Sequence, residues 1–520
     1  MREAAPSLRH YVARSASICM LGLVLNQVAA QLGGAFLARL IPDPRVYGEL
    51  SLLLQFLNLA ALGLGLGLNS ALVYDVATGR AEPGRSFATA WRATIVFTST
   101  LVALSDLAAP FIAHAYGVPG LTLAIDLGSL VFFAQGLLNL TTSLQSGLRR
   151  FGLQTGLMVA GTTLATAGRL ALIPTVAAGG SVGWLALAGG AGTALAATAG
   201  LWLAAQTGLS GTVHGLRDAW TEAARMLRYG TPLWASNLLK SFQQPYLVLL
   251  AGGAGVAAAG FMANDVALLG WPFLVTWAFR LVAVPLIASA ASQDERRERT
   301  TVCFRLNHLA LFPVVALCLF WPREIVGAIY GARYAAAGAL LPLLALGVYG
   351  SSVGRLATDA LAAVGRSQAS VPIMLVSSLP LLALGPLALS RGTTWLAALY
   401  CAGWLLSGAY AYLLLTRIGL GVQLRSGFVE PLVPTLAASA LAAWAGRLHA
   451  GEAATAYALA GCAWLGLSAA VYRLGGGLGR GAGALVGVAA PAGAESAKAR
   501  PLNRQTPPST DSPANAGLSP

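Results

Sequence analysis

Residues 49–74 read ELSLLLQFLNLAALGLGLGLNSALVY, and only Glu49, at the start, is charged. A helix needs roughly 20 consecutive, mostly apolar residues to cross a bilayer, so this stretch is long enough to span one. Comparable runs lie on both sides. The sequence predicts about fourteen: 17–40, 49–74, 89–113, 121–147, 153–177, 181–206, 231–252, 257–290, 303–321, 338–364, 368–389, 393–416, 431–447 and 453–472. The expected fold is an all-α polytopic membrane protein. The eighth run is too long for one straight span, and Pro272 and Pro285 are expected to bend or end it.

Composition agrees. Apolar residues make up 56% of the 520-residue chain and charged residues 10%, against about 25% charged in a soluble domain. The net charge of +14 sits mostly in short connections, so it marks topology rather than nucleic-acid binding. With the N-terminus in the cytoplasm, the cytoplasmic segments hold 23 Lys and Arg residues, the opposite side 6 and the spans 4. Both termini are therefore expected in the cytoplasm, with an even number of spans. The first run holds Asn26 and Gln27 and is followed by further spans, which argues for an uncleaved first helix rather than a signal peptide. Cys19, Cys303, Cys318, Cys401 and Cys462 form no C-x-x-C pair and read as small apolar fillers. The Gly-rich segment near residue 480 lacks the Lys-Ser/Thr pair of a phosphate loop. No catalytic constellation, metal site or cofactor motif stands out.

The expected organisation is a six-helix lobe over 1–207, a charged cytoplasmic linker over 208–230, a second six-helix lobe over 231–416, two further spans within 431–472, and a disordered tail over 473–520. The halves carry a faint echo. Asn26 and Gly48 in the first two spans match Asn237 and Gly260 in the seventh and eighth. An even number of spans per lobe makes the repeats parallel. Gly63, Gly65 and Gly67 read as close helix packing. External loops are short, which leaves little room for a membrane glycosyltransferase.

Ionisable residues inside the spans point to function. Arg169, Lys240, Arg280 and Arg355 lie roughly 12–15 Å from a predicted helix end. Asp106, Asp126, Asp265 and Asp359 also fall inside spans. Each such charge costs about 3 kcal/mol at the bilayer centre, so they must face one another or a hydrated cavity. Arg355 and Asp359 stand four apart and could pair on one helix face. Arg169, Lys240 and Arg280 have no opposite charge within four residues. They could reach Asp106 or Asp265, or line a basic cavity between the halves. Arg binds phosphate oxygens through paired hydrogen bonds and Lys acts as a point charge, so such a cavity suits phosphate-linked cargo. Asn237, Ser241, Gln243, Gln244, Asn264 and Thr276 would add a polar lining, or hydrogen-bond between helices. Asp106, Asp265 and Asp359 are candidate carriers of a coupling proton or sodium ion. Trp271, Trp277, Trp321 and Trp395 read as interfacial residues that could also stack on sugars.

Four segments carry a family resemblance: "LARLIPDPRVYGELSLLLQFLNLAALGLGLGLNSALV" (37–73), "LRYGTPLWASNLL" (227–239), "IVGAIYGARYAAAGALLPLLALG" (325–347) and "AAVGRSQASVPIML" (362–375). In order and spacing the chain resembles the bacterial O-antigen type polysaccharide flippases of the multidrug/oligosaccharidyl-lipid/polysaccharide exporter superfamily. The resemblance implies two lobes around a V-shaped cavity in an inner-membrane transporter, not an enzyme. The implied cargo is undecaprenyl-pyrophosphate-linked oligosaccharide, and the implied partners are membrane lipid, a polysaccharide polymerase and export machinery. The competing expectations are a multidrug or cation exporter, a lipid II flippase and a membrane-embedded glycosyltransferase.

Overall fold

The computed structural model describes residues 8–41, 43–206, 216–433 and 435–437. The predicted spans 431–447 and 453–472, apart from residues 431–433 and 435–437, and the predicted tail lie outside the described residues. Within them the chain is helical and has no strand. The N-terminal half comprises α1 (Leu8–Leu40), α2 (Pro44–Ala61), α3 (Leu68–Ala77), α4 (Pro83–Tyr116), α5 (Gly120–Ser129), α6 (Val131–Gly147), α7 (Phe151–Ala171), α8 (Ile173–Ala177) and α9 (Gly183–Ala205). Then follow α10 (Leu216–Ser241), α11 (Gln243–Gly252), α12 (Val256–Leu268), α13 (Gly270–Ala288), α14 (Gln293–Phe320), α15 (Pro322–Tyr330), α16 (Leu341–Ala363), α17 (Ser370–Leu389) and α18 (Thr393–Arg417). Among the described residues ten helical segments are long and apolar enough to cross a membrane. An eleventh forms if Ala332–Ala339 and α16, bent by 57°, count as one span.

Each break has a local cause. Asp43 caps α2 by accepting from the Arg45 backbone N–H at 2.8 Å, and Pro44 opens the helix, where its missing N–H costs nothing. The second span breaks at Leu64–Gly67, where Gly65 and Gly67 adopt φ of 72° and 94°. A left-handed backbone favours glycine, so these two residues act on chain direction as well as on packing. The eighth run breaks at Leu269 between α12 and α13. Pro272 cannot donate to the Leu268 carbonyl, and its ring crowds that oxygen. The backbone stays helical through Pro285. The seventh run breaks at Phe242. From Leu216 the segment expected as a linker is already helical and continuous with that run.

In the N-terminal half, α7 packs on α1 and α9, and α6 on α9. In the C-terminal half, α16 and α17 pack on α18, and α13 on α14 and α16. The halves meet at two levels. At the first, α2 crosses α12 so closely that a Cβ at Gly48 would stand 2.1 Å from the Val256 carbonyl oxygen, and one at Gly260 3.2 Å from the Gly48 Cα. Tyr47 donates to Asn264 Oδ1 at 2.7 Å beside this crossing. Arg39 donates to the carbonyls of Ala328 and Ile329 at the end of α15, and Arg333 to those of Ala38 and Arg39, both at 2.7 Å, at the end of α1. Each arginine thus satisfies carbonyls that a helix end leaves open.

At the second level α10 lies on α3 and α4. Arg225 makes a bidentate pair with the buried Asp75 at 3.0 and 2.7 Å, and Arg85 meets Glu222 at 3.0 Å. Trp234 donates to the Leu62 carbonyl at 2.5 Å, and a Cβ at Gly230 would come 2.2 Å from the Gly67 carbonyl oxygen.

A side chain at position 48 would force two backbones apart. Gly48→Val is expected to lower the thermal midpoint in detergent and the yield of monodisperse protein. Gly34→Ala, which meets nothing within 4 Å, should change neither. Equal behaviour of the two variants by size-exclusion and thermal melting would refute the close crossing.

Candidate functional site

Two cavities lie between these levels. One, of about 280 Å³, is bounded by α1 through Leu23, Asn26 and Gln27, and by α11, α13 and α16 through Gln244, Arg280 and Arg355. The other, of about 250 Å³, lies among α10, α11, α13, α16 and α18 and is lined by Lys240, Gln244, Arg355, Tyr400 and Trp404. Gln244, Phe273 and Arg355 line both.

The break between α10 and α11 falls at Phe242, beside Lys240, Ser241, Gln243 and Gln244, all of which line the second cavity. The break between α12 and α13 falls beside Gly270 and Phe273, which line the first. Backbone bonds continue across both breaks, from Phe242 to Leu238 and from Leu269 to Asp265, but Pro245 and Pro272, each three residues on, leave the carbonyls of Ser241 and Leu268 without their i→i−4 donor, which a span tolerates beside a polar site. Gln27 packs against Gly270, where a Cβ would meet its Nε2 at 1.9 Å.

Arg280 donates from Nε to Asp359 Oδ2 at 2.6 Å and from Nη2 to Oδ1 at 2.9 Å. The Arg355–Asp359 pairing open from sequence spacing is therefore corrected: Asp359 pairs with Arg280, 79 positions away. Helical side chains lean toward the helix N-terminus, so Arg355 reaches back one turn and donates to Ser351 Oγ at 2.9 Å. An acid placed four residues C-terminal to its base is also the weaker order for a helical pair. The Arg355 guanidinium carbon lies 4.9 Å from the Phe273 ring centroid and 5.5 Å from that of Trp404. Two aromatic faces attract the cation and fix its plane.

Lys240, Arg280, Arg355 and Asp359 stand close enough for their charges to act on one another. They leave the site with a net positive charge among the described residues. Arg169 is not with them. It sits in the last turn of α7, inside the apolar span that runs on through α8 to Ala177. Its guanidinium lies over α9, where a Cβ at Gly189 would stand 2.6 Å from its Nε. The bridges open from sequence between these bases and Asp106 or Asp265 do not form among the described residues. Asp106 accepts from Ser129 Oγ at 3.0 Å. Asp265 is buried on α12 with neither carboxylate oxygen hydrogen-bonded among the described residues.

The polar residues divide in the same way. Gln244, Ser241 and Thr276 line the cavities, while Asn237 is exposed on α10 and lines neither. Asn264 is engaged with Tyr47, and Gln243 donates to Ser377 and Ser378 at 3.0 and 2.9 Å. Of the four tryptophans read as interfacial, Trp277 lines the first cavity. Trp395 carries Arg391 over its ring. Sequence reasoning missed Phe273, Tyr400 and Trp404. They sit in apolar runs without a local signature, and only the fold brings them to Arg355.

A family model described as "polysaccharide biosynthesis protein" matches residues 36–338. The chain belongs to that family. A search by sequence finds no match among curated proteins. Among solved structures the chain is similar to the lipid II flippase MurJ in an inward closed conformation, at 10% identity and TM-score 0.68, covering 88% of this chain and 98% of that one. It is also similar to an inward-facing multidrug resistance transporter of the MATE family in the MOP superfamily, at 15% identity and TM-score 0.61, covering 77% and 98%. A third is a point mutant of the Vibrio cholerae MATE transporter VcmN, at 14% identity and TM-score 0.56, covering 81% and 98%. The fold of this polysaccharide biosynthesis family member is thus MATE-like and all-helical.

Removing one partner of a largely buried ion pair leaves the other uncompensated. Asp359→Ala is expected to destabilise the folded protein by about 3 kcal/mol, read as a lower melting midpoint. The exchange Arg280→Asp with Asp359→Arg should recover part of that loss. An exchange no more stable than Asp359→Ala alone would contradict the pairing.

Proposed function

We propose that this chain is a flippase that moves undecaprenyl-pyrophosphate-linked oligosaccharide from the cytoplasmic to the outer leaflet by alternating access, for polysaccharide assembly. The observation that carries the reading is the net positive, polar-lined site between α1 and the C-terminal helices, with Arg355 fixed between two aromatic rings at the wall of both cavities. A guanidinium held in one plane is ready to bind phosphate oxygens bidentately. Membership of the polysaccharide biosynthesis family supports the cargo class. The sugar chain needs a polar path because each unpaired hydroxyl costs several kcal/mol in hydrocarbon.

In this reading the protein is a transporter in the bacterial inner membrane with both termini in the cytoplasm. Lobes at 1–207 and 231–416 rock about the cavity. The contact of α10 with α3 and α4 closes its cytoplasmic end, and the crossing of α2 with α12 closes its outer end. Arg280 and Arg355 face the pyrophosphate, with Arg280 held by Asp359. Asp265, buried without a hydrogen-bond partner among the described residues, is the best-placed candidate for ion coupling, ahead of Asp106 and Asp359, which have partners. A multidrug or cation exporter would want a net acidic cavity, and the basic site disfavours it. A lipid II flippase differs in cargo, which the following measurement identifies.

Loss of the gene is expected to trap lipid-linked oligosaccharide on the cytoplasmic leaflet, as read by leaflet-resolved labelling, and the trapped sugar names the cargo. Arg355→Ala and Arg355→Lys, both present at normal levels in the membrane, should each cut the outer-leaflet pool at least about tenfold, because Lys replaces neither the planar fork nor the stacking. Normal outer-leaflet oligosaccharide without the gene, in cells with no second flippase, would refute the reading.

A further inference from the structure

α10 is one unbroken helix from Leu216 to Ser241, although its first half falls in the stretch expected as a linker. That half presents a single face to the N-terminal half. Ala223 and Met226 are buried in an apolar cluster with Leu68 and Leu72 of α3 and Ala90 of α4. Tyr229 stacks on Tyr74, with ring centroids 4.5 Å apart.

Charged groups on the same face form a chain. Arg225 holds both oxygens of Asp75, at 3.0 and 2.7 Å. Glu222 stands 3.8 Å from Arg225 and 3.0 Å from Arg85. The central pair is buried unequally. The Asp75 side chain is 2% exposed and that of Arg225 39%. A cavity of about 530 Å³ lies alongside, lined by Arg80, Glu82, Arg85, Glu222 and Arg225 but not by Asp75. Arg225 thus borders open space while Asp75 depends on its guanidinium.

This inequality ties the pair to closure. In the closed arrangement Asp75 has given up water, and a buried carboxylate without its partner is strongly destabilised. Parting α10 from α3 returns water to both groups, so the ions can separate at little cost once the helices do.

We propose that Asp75 and Arg225 are the lock of the cytoplasmic end: the pair is made when the cavities are shut off from the cytoplasm and parts when they open to it. This rests on the flippase reading, which gives the contact of α10 with α3 and α4 the closing role, and it names the groups on which closure turns. The two sides of the lock are unequal. Arg225→Met leaves a buried, unpaired carboxylate in the closed state alone and drives the chain open. Asp75→Asn leaves a part-exposed base, which water still serves, and has the smaller effect. Removing both charges abolishes the penalty that the single loss creates.

The experiment uses the full chain with its native cysteines replaced by alanine and Leu23→Cys at the wall of the first cavity. A membrane-impermeant maleimide is applied to inside-out vesicles, and the labelling rate is read. Arg225→Met is expected to raise that rate at least about tenfold over the background with the native pair. Asp75→Asn should raise it less, and the double variant should label close to Asp75→Asn. Arg225→Lys, which keeps the charge without the paired bonds, should fall between background and Arg225→Met. In right-side-out vesicles none of these rates should rise. Size-exclusion profiles matching the background establish that the variants fold. No rise in Arg225→Met, or in Arg225→Lys if the former does not fold, would overturn the proposal. So would a double variant as fast as Arg225→Met, an equal rise from both faces, or a background already as fast as Arg225→Met. Labelling needs no cargo, so each of these failures leaves the flippase reading standing, and a failure of that reading leaves the labelling rates as they are.

Discussion

The two hydrogen bonds from Arg280 to Asp359 hold α13 against α16 inside the helical bundle. Hydrocarbon makes an unpaired ion so costly that a buried base must have a carboxylate, an aromatic face or a cargo to meet it. Arg280 takes the first, Arg355 the second. Because Asp359 is engaged, Arg355 is free to turn back to Ser351 and settle between Phe273 and Trp404. One pairing therefore sets the direction of the next side chain and, through it, the wall that separates two cavities.

Helix breaks serve the same place. Phe242 and Leu269 interrupt two neighbouring spans at the height of the cavities. Pro272, which the break at Leu269 accommodates, leaves the Leu268 carbonyl without its usual donor. In a lipid-facing segment that carbonyl would be a liability. Beside a polar cavity it is tolerable. The same logic fits the C-terminal ends of α1 and α15, where Arg333 and Arg39 offer guanidinium groups to open carbonyls.

Much of the fold was legible in hydropathy, since twelve of the predicted runs coincide with helices in the described residues. The breaks were legible in part, since the eighth run does break beside Pro272, at Leu269. The run 153–177 is mostly apolar, yet the chain breaks at Leu172, just ahead of Pro174. The site was legible in part. Buried bases announce themselves in an apolar run, so Lys240, Arg280 and Arg355 could be picked out. Their partners could not, because Asp359 and Arg280 are joined only by tertiary packing. Local spacing offered Asp359 to Arg355 instead, and offered Arg169 to a cavity it does not line. Arg39 and Arg333, counted as topology signals, close helix ends. Trp404 carries no mark in sequence that separates it from a tryptophan facing lipid.

The crossing of α2 and α12 has a consequence for heredity. Gly48 lies against the Val256 backbone and Gly260 against Gly48. Each glycine can drift alone in sequence, but neither can add bulk unless the other backbone yields. The pair is thus a place where two separately mutable positions remain bound to a common fate.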